Sequence, residues 1–234
     1  MRNRYFCSLA FLLAFVSTVV DGGIAGLQSF FRENTKLAWN VATNIKPLEV
    51  DHACIDMNQF IYSGLRKAND PKAFLSYLFV SIDNAMKVMK PSTSLVLAFD
   101  GPAPFAKLQT QRSRRITNPE RGLIVPGTDF MKSIEDMMIC YVLQRMHRPE
   151  FSKISFYISG ASAPGEGELK IVEWIHSHVM GKNESVAICG EDSDILVQSM
   201  LLSKIPKVRI VQVLIRYFIG YNDIASAVVN FCYF

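Results

Sequence analysis

The sequence has few cysteines and few histidines, and their spacing matches neither a disulfide framework nor a zinc site. Its 234 residues include five cysteines, none in a CxxC pair, and four histidines. Cys54 and Cys189 lie inside apolar runs, where a thiol behaves as a small hydrophobic side chain. His176 and His178 stand two residues apart, so on a helix they point to different faces. We therefore expect no disulfide scaffold and no zinc centre, and we expect the histidines at the surface.

The chain also lacks a strong charge of either sign, internal repeats and low-complexity tracts. Its 25 Lys and Arg against 21 Asp and Glu give a formal net charge of +4, which permits an anionic partner without requiring one. Half of the residues are hydrophobic and 20% are charged. This composition and length indicate a globular protein with one domain.

The apolar run near the start is shorter than a typical membrane-spanning helix. The longest such run near the start, residues 5–20, follows Arg2 and Arg4 and falls short of the roughly 20 residues that a spanning helix needs. Basic residues followed by a short apolar run and small residues at 22–23 have the form of a signal peptide. We expect residues 1–22 to be a targeting segment, with no stable membrane association after processing. An uncleaved anchor or a misassigned start codon are the alternatives.

Strand-like and helix-like segments alternate through residues 23–208, which we take as the folded domain. An apolar strand leads to Asp56 and another leads to Asp100. Pro71 begins a helical pattern, and Thr128 is placed to cap a later helix. The alternation predicts an α/β fold with a doubly wound, mostly parallel sheet flanked by helices. Residues 209–234 form an apolar tail that we leave unassigned.

Six acidic residues follow the predicted strands and would meet where the strands end. They are Asp56, Asp100, Glu166, Glu168, Asp192 and Asp194. So many carboxylates in one place require cations, and oxygen ligands suit Mg²⁺ or Mn²⁺. Two such ions can activate a water and stabilise the leaving oxygen of a phosphodiester. For the two glutamates, capping of a helix N-terminus is the simpler alternative, worth at most about 1 kcal/mol.

A basic segment follows Asp100. On a helix, four of its residues share one face: Lys107, Gln111, Arg114 and Arg115. Arginine forks and a glutamine donor can make a phosphate pocket. A solvated basic helix is the alternative. Together with the acids, the pattern favours a site that holds one phosphate and cuts the neighbouring one.

Five blocks of sequence carry a resemblance to a known family. In chain order they read CIDMNQFIY, LAFDGPAPFAKLQTQRSRR, VPGTDFM, SGASAPGEGELKIVEWI and GEDSDILV. Their order and approximate spacing resemble the N-terminal conserved region of the Xrn family of 5'-to-3' exoribonucleases, over roughly residues 23–200. GIAGLQSFF, near the start of this region, resembles the usual N-terminus of the family.

The resemblance implies a nuclease core of the PIN and flap-endonuclease type and gives roles to the matching positions. The six acids would bind two Mg²⁺ or Mn²⁺ ions, and the four residues of the basic face would bind the 5'-monophosphate of an RNA end. The implied protein is a monomer that degrades single-stranded, 5'-monophosphorylated RNA. Family members work in the nucleus or cytoplasm, whereas residues 1–22 indicate the secretory pathway or an organelle.

The chain departs from the family in three places. Leu169 replaces the histidine of the family's GEGEHK. Tyr62 lies six residues after Asp56, where the family has a histidine that stacks on the first base; a tyrosine ring can also stack, at about 1–3 kcal/mol per base. The family also continues into a second conserved region with a further acid, for which Asp223 is a weak candidate here. We expect a compact relative or a fragment.

Two other functions fit parts of the pattern. A structure-specific endonuclease of the flap type would share the acids without needing the phosphate pocket. A catalytically inactive module that binds nucleic acid would keep the basic face alone.

Overall fold

The computed structural model describes residues 46–117, 123–179, 182–190, 193–202, 205, 207–211 and 231–233. The targeting segment predicted at residues 1–22 and the candidate acid Asp223 lie outside these ranges. Within them, no helix combines the length and the apolar character that crossing a membrane requires.

Six strands within the described ranges form one sheet. They are β1 (His52–Asp56), β2 (Ser94–Ala98), β3 (Ser155–Ser159), β4 (Ser185–Cys189), β5 (Lys207–Val211) and β6 (Phe231–Tyr233). Their spatial order is β3-β2-β1-β4-β5-β6, and only the β5–β6 pair is antiparallel. The order reverses between β1 and β4, and such a reversal opens a crevice at the carboxyl ends of the strands. The predicted α/β class and mostly parallel sheet are confirmed.

The sheet continues beyond residue 208, where the sequence analysis placed the end of the domain. β5 crosses that position and pairs with β4 in parallel. β6 then pairs with β5, with Cys232 opposite Ile210. Parts of the segment 209–234 therefore belong to the same sheet as the rest of the domain.

Capping residues fix where several helices begin. The helices are α1 (Met57–Lys67), α2 (Pro71–Met89), α3 (Phe105–Thr117), α4 (Asp129–Met146), α5 (Gly167–His178) and α6 (Ser193–Ser199), with short 3₁₀ turns at Pro149–Phe151 and Met200–Leu202. Asp70 accepts the Ala73 N–H, and Thr128 accepts the Met131 N–H. These contacts satisfy backbone donors that have no partner in the first helical turn. The predicted cap at Thr128 is confirmed.

The helices cover both faces of the sheet. Buried side chains of α1, α2 and α4 pack on one face, and those of α5 and α6 pack on the other. Both layers leave the carboxyl ends of the strands to the loops and helix starts that carry the predicted acids.

One expectation about the histidines is wrong. His52 is 4% exposed because it is the first residue of the central strand β1. Its ring nitrogens lie 2.8 Å from Ser94 Oγ and 3.0 Å from Glu184 Oε2. Buried polar groups need such partners, so His52 serves the packing of the sheet.

Candidate active site

Asp56 and Asp100 border one small space at the carboxyl ends of β1 and β2. Asp56 caps α1, and its Oδ1 accepts the Asn58 N–H at 3.1 Å. Asp100 Oδ1 accepts the Gly167 N–H at 2.7 Å. A Cβ at Gly167 would lie 3.0 Å from Asp56 Oδ1 and 3.4 Å from Asp100 Oδ1. Glycine at position 167 therefore leaves a cradle between two carboxylates.

Asp100 is placed where its negative charge is unfavourable. Burial raises the pKa of Asp100, and the nearby charge of Glu166 raises it further. The Gly167 N–H, the Asn58 side chain and the charge of Lys170 lower the pKa but do not offset burial. A carboxylate in such a setting is a good ligand for a cation, because a bound cation removes the charge penalty.

Glu166 joins the acids to the basic helix. It occupies the N-cap position of α5, yet its side chain makes no capping hydrogen bond. Its two carboxylate oxygens instead accept from Lys107 Nζ at 2.8 and 2.7 Å. Lys107 lies in α3, so the contact brings together residues far apart in sequence. Capping does not account for Glu166, and the two predicted constellations meet at this ion pair.

Glu168 and Asp194 lie close enough to act on the same lysine. Glu168 is 8% exposed, and the side-chain amide of Gln198 approaches its Oε1 at 3.4 Å. Burial alone would lower the pKa of Lys107, but the hydrogen bond and charge of Glu166, with the charges of Glu168 and Asp194, raise it. Lys107 therefore sits in the combined field of three carboxylates from two helices.

The remaining predicted residues are placed less completely. Asp192 lies outside the described residues. The range of α3 includes Gln111, Arg114 and Arg115, as the sequence predicts, but their side chains lie outside the described part of the structure. Tyr62 belongs to α1 and packs, partly buried, against the larger hydrophobic cluster. Its stacking on a base stays a prediction.

Two residues near the acids were missed by sequence reasoning. Asn58 donates its N–H to Asp56, and its Oδ1 lies 3.4 Å from the Asp100 backbone nitrogen, so it links the two aspartates. Lys170 is 7% exposed, and its Nζ donates to the carbonyls of Phe99 and Gly160 at 2.8 Å each. The available signal in the sequence was a polar residue two positions after a predicted acid, in the first turn of a helix that packs on the core.

The residues present fit a divalent cation in their chemistry. All the predicted ligands are carboxylates, which suit Mg²⁺ or Mn²⁺, and the cradle at Gly167 would be filled by any side chain. Among the described residues, which leave out Asp192, no three histidine, cysteine or acidic side chains form a group able to hold a metal. Lys107 is the positive group that the described structure places against one of the acids.

Comparison with known proteins identifies relatives of the chain. Residues 22–122 and 117–213 match the family described as XRN 5'-3' exonuclease N-terminus. The chain is 26% identical over 197 residues to 5'-3' exoribonuclease 2 of Gallus gallus, covering 66% of this chain and 21% of that protein. It is 26% identical over 213 residues to 5'-3' exoribonuclease 1 of Schizosaccharomyces pombe, covering 75% of this chain and 16% of that protein. The chain thus spans about a fifth of the length of these relatives.

A solved structure also aligns with the chain. The catalytic core of Rad2 in complex with DNA substrate aligns with a TM-score of 0.47 and 18% identity, covering 87% of this chain and 53% of that one. A likeness at this level carries no inference about substrate or mechanism. The family match is of a different kind, since it extends over more than half of the chain. The chain therefore belongs to the XRN 5'-3' exonuclease N-terminus family.

Proposed function

We propose that this protein is a 5'-to-3' exoribonuclease that hydrolyses phosphodiester bonds of single-stranded RNA with a 5'-monophosphate. The observation that carries the proposal is the contact of Lys107 with Glu166. It puts the first residue of the basic helix face against the acids, so that a terminal phosphate held by that face would have its neighbouring phosphodiester near the carboxylates. The family membership and the names of the relatives support the same activity.

The acids would hold the catalytic metal. Asp56, Asp100, Glu166, Glu168, Asp192 and Asp194 would bind Mg²⁺ or Mn²⁺, as two ions. When bound, the ions would activate a water and stabilise the leaving oxygen of the phosphodiester. The protein's own contribution is to hold the carboxylates at the crevice and to keep a side chain out of the cradle at Gly167.

Lys107 would help the acidic site to accept an anionic substrate. Carboxylates repel the phosphates of RNA, and fixed positive charges at the entrance offset that repulsion. An ammonium group has three N–H donors, so Lys107 could keep one contact with Glu166 while another donor points to a terminal phosphate. Arg114 and Arg115 would add forked contacts to the same phosphate.

A set of matched substrates tests the activity. One RNA sequence is prepared with a 5'-monophosphate, with a 5'-hydroxyl and as a circle, and products are separated with and without Mg²⁺. We expect Mg²⁺-dependent release of mononucleotides from the 5'-phosphorylated RNA, and little loss of the other two. Chelation by EDTA should stop the reaction, and added Mn²⁺ should restore it.

The other outcomes would replace the proposal. Cleavage of the circular RNA would identify an endonuclease of the flap type. Equal degradation of the phosphorylated and hydroxyl ends would remove the phosphate pocket from the mechanism. Tight binding of the phosphorylated RNA without turnover, at any concentration of Mg²⁺ or Mn²⁺, would identify an inactive nucleic-acid-binding module.

A further inference from the structure

Lys170 connects the backbone ends of two neighbouring strands beside the candidate acids. Its ammonium donates to the carbonyl of Phe99, which immediately precedes Asp100, and to the carbonyl of Gly160, which directly follows β3. β2 and β3 are parallel partners in the sheet. Lys170 lies in the first turn of α5, so its Nζ links this helix to the segments that follow β2 and β3.

The loop that reaches Glu166 is packed against the same point. Gly101 lies two residues after Phe99, and its N–H donates to the Gly165 carbonyl at 2.8 Å. A Cβ at Gly101 would lie 1.7 Å from the Ala163 carbonyl oxygen and 3.2 Å from Lys170 Nζ. No side chain fits there without moving the loop. The backbone around Gly101 and the loop at Ala163–Gly165 are thus in close contact, which sets the positions of the adjacent Asp100 and Glu166. Lys170 contributes to this contact through its hydrogen bonds to Phe99 and Gly160.

Glu135 of α4 also contacts the loop that follows β3. Glu135 of α4 accepts the Ala161 N–H, and its carboxylate lies against Gly160. Burial lowers the pKa of Lys170, and the charges of Asp100, Glu135 and Glu173 raise it without fully offsetting burial. These negative groups therefore compensate the buried ammonium only in part.

An apolar side chain would be the ordinary choice at such a buried position. Taking a charged group out of water is unfavourable unless good contacts offset the loss of hydration. A methionine would pack in a similar volume without that cost, but it would remove the Lys170 donor from the carbonyls of Phe99 and Gly160. The Gly160 carbonyl would keep the Ala163 N–H as a donor at 3.2 Å. The charge and the donors at position 170 thus serve the strand ends that carry the acids.

We propose that Lys170 is a positioning residue of the active site: it holds the ends of β2 and β3 together, so that Asp100 and the loop leading to Glu166 keep the separation that the reaction needs. The proposal rests on the proposed function, and nothing in the family match or in the relatives' names gives Lys170 a role. Lys170 touches no reacting group and acts through the backbone of its neighbours.

Hydrogen exchange measures this positioning without any substrate. Amide exchange is compared in the wild type, Lys170→Met, Lys170→Gln and Lys153→Met, the last replacing an exposed lysine just before β3. We expect the Gly101 and Gly167 amides to exchange at least about tenfold faster in both Lys170 variants, since local opening sets these rates. Amides in the middle of α2 and both reporter amides in Lys153→Met should keep wild-type rates.

Steady-state kinetics on 5'-phosphorylated RNA provide the second measurement. Loss of a residue that orients ligand groups typically costs about 10–100-fold in activity. We expect that loss in kcat for Lys170→Met, with KM little changed. Failure of the wild type to hydrolyse RNA would contradict the proposed function, while the exchange data would still decide whether Lys170 holds Asp100 in place.

Four results would overturn the inference. These are unchanged exchange at both reporter amides, a proportional loss of protection in α2, a rise in KM at constant kcat, and failure of both Lys170 variants to fold. The second and fourth would assign Lys170 to global stability, and the third would assign it to RNA binding.

Discussion

The two ends of the same sheet place an aspartate in opposite electrostatic surroundings. At the amino end, Asp51 accepts the Ser185 N–H at 2.7 Å and the Ser185 hydroxyl at 2.8 Å. These bonds lower the pKa of Asp51, with the backbone hydrogen bond from Ser185 as the largest cause. At the carboxyl end, burial raises the pKa of Asp100. The surroundings of Asp51 therefore stabilise its charged form, and those of Asp100 destabilise it.

The difference lies in the partners and not in the strands. At the amino end, the charged carboxylate of Asp51 accepts hydrogen bonds from neutral donors of the neighbouring strand, the backbone N–H and hydroxyl of Ser185. At the carboxyl end, Asp56 and Asp100 border one space, and the charges of three further acids act on Lys107, which contacts one of them, Glu166. An excess of one sign is unfavourable for folding but suits the binding of a cation. The amino end stabilises the sheet, and the carboxyl end carries the candidate chemistry.

Asp100→Asn, at the carboxyl end of the sheet, should have the largest effect on activity without lowering stability. We expect RNA hydrolysis to fall by at least about a hundredfold, because a preorganised charged group at the reaction centre is lost. The free energy of unfolding in EDTA at neutral pH should not fall, since asparagine removes a buried charge and its oxygen can still accept the Gly167 N–H. Activity assays and urea titrations check the two halves. A variant with normal turnover would remove Asp100 from the site.

Lys107→Met should affect one substrate more than the other. A charge-assisted hydrogen bond contributes about 1.5–3 kcal/mol, so kcat/KM for RNA with a 5'-monophosphate should fall by roughly 10–100-fold. The much lower value for 5'-hydroxyl RNA should change little. Lys132→Met, which replaces an exposed lysine of α4, serves as the control. Equal losses on both substrates would contradict a role in recognising the phosphate.

Gly167→Ala probes the cradle between the aspartates. The new methyl group would lie 3.0 Å from Asp56 Oδ1 and 3.2 Å from the Ala98 carbonyl oxygen, so the carboxylates must shift by a few tenths of an ångström. We expect an approximately tenfold loss of activity, because small misplacements at a reaction centre are costly. Binding of Mn²⁺, measured by calorimetry, should weaken in parallel. Unchanged affinity and turnover would show that the cradle is not needed.

Local signals predicted the strands and helices of the fold well. The helical pattern that begins at Pro71 predicted α2, and its side chains at a spacing of four, Phe74, Leu78, Ile82 and Met86, are all buried. Apolar runs that end before an acid predicted the carboxyl ends of β1 and β2, because parallel strands must present their ends at one edge. These inferences depend only on residues near one another in the chain.

Contacts between distant segments could not be predicted in the same way. The pairing of Lys107 with Glu166 and the donation from Lys170 to Phe99 join residues 59 and 71 positions apart. Sequence periodicity places Lys170 on a helix but does not say which carbonyls surround its ammonium. His52 shows the same limit, since its burial follows from the central position of β1 in the sheet.

Asp51→Asn should have the smallest effect and sharpen the contrast between the two ends. We expect a loss of about 1 kcal/mol in the free energy of unfolding at pH 7, below the about 1.5–3 kcal/mol usual for bonds to a charged group, because Asp51 is partly exposed. Activity should not change. The folded pKa of Asp51 is lowered, so its contribution is present above the unfolded pKa of about 3.9 and is lost as the pH falls through the folded value. Urea titrations from pH 7 to pH 3 should therefore show the two proteins converging in acid, and a constant difference would mean that the charge of Asp51 adds nothing to its hydrogen bonds.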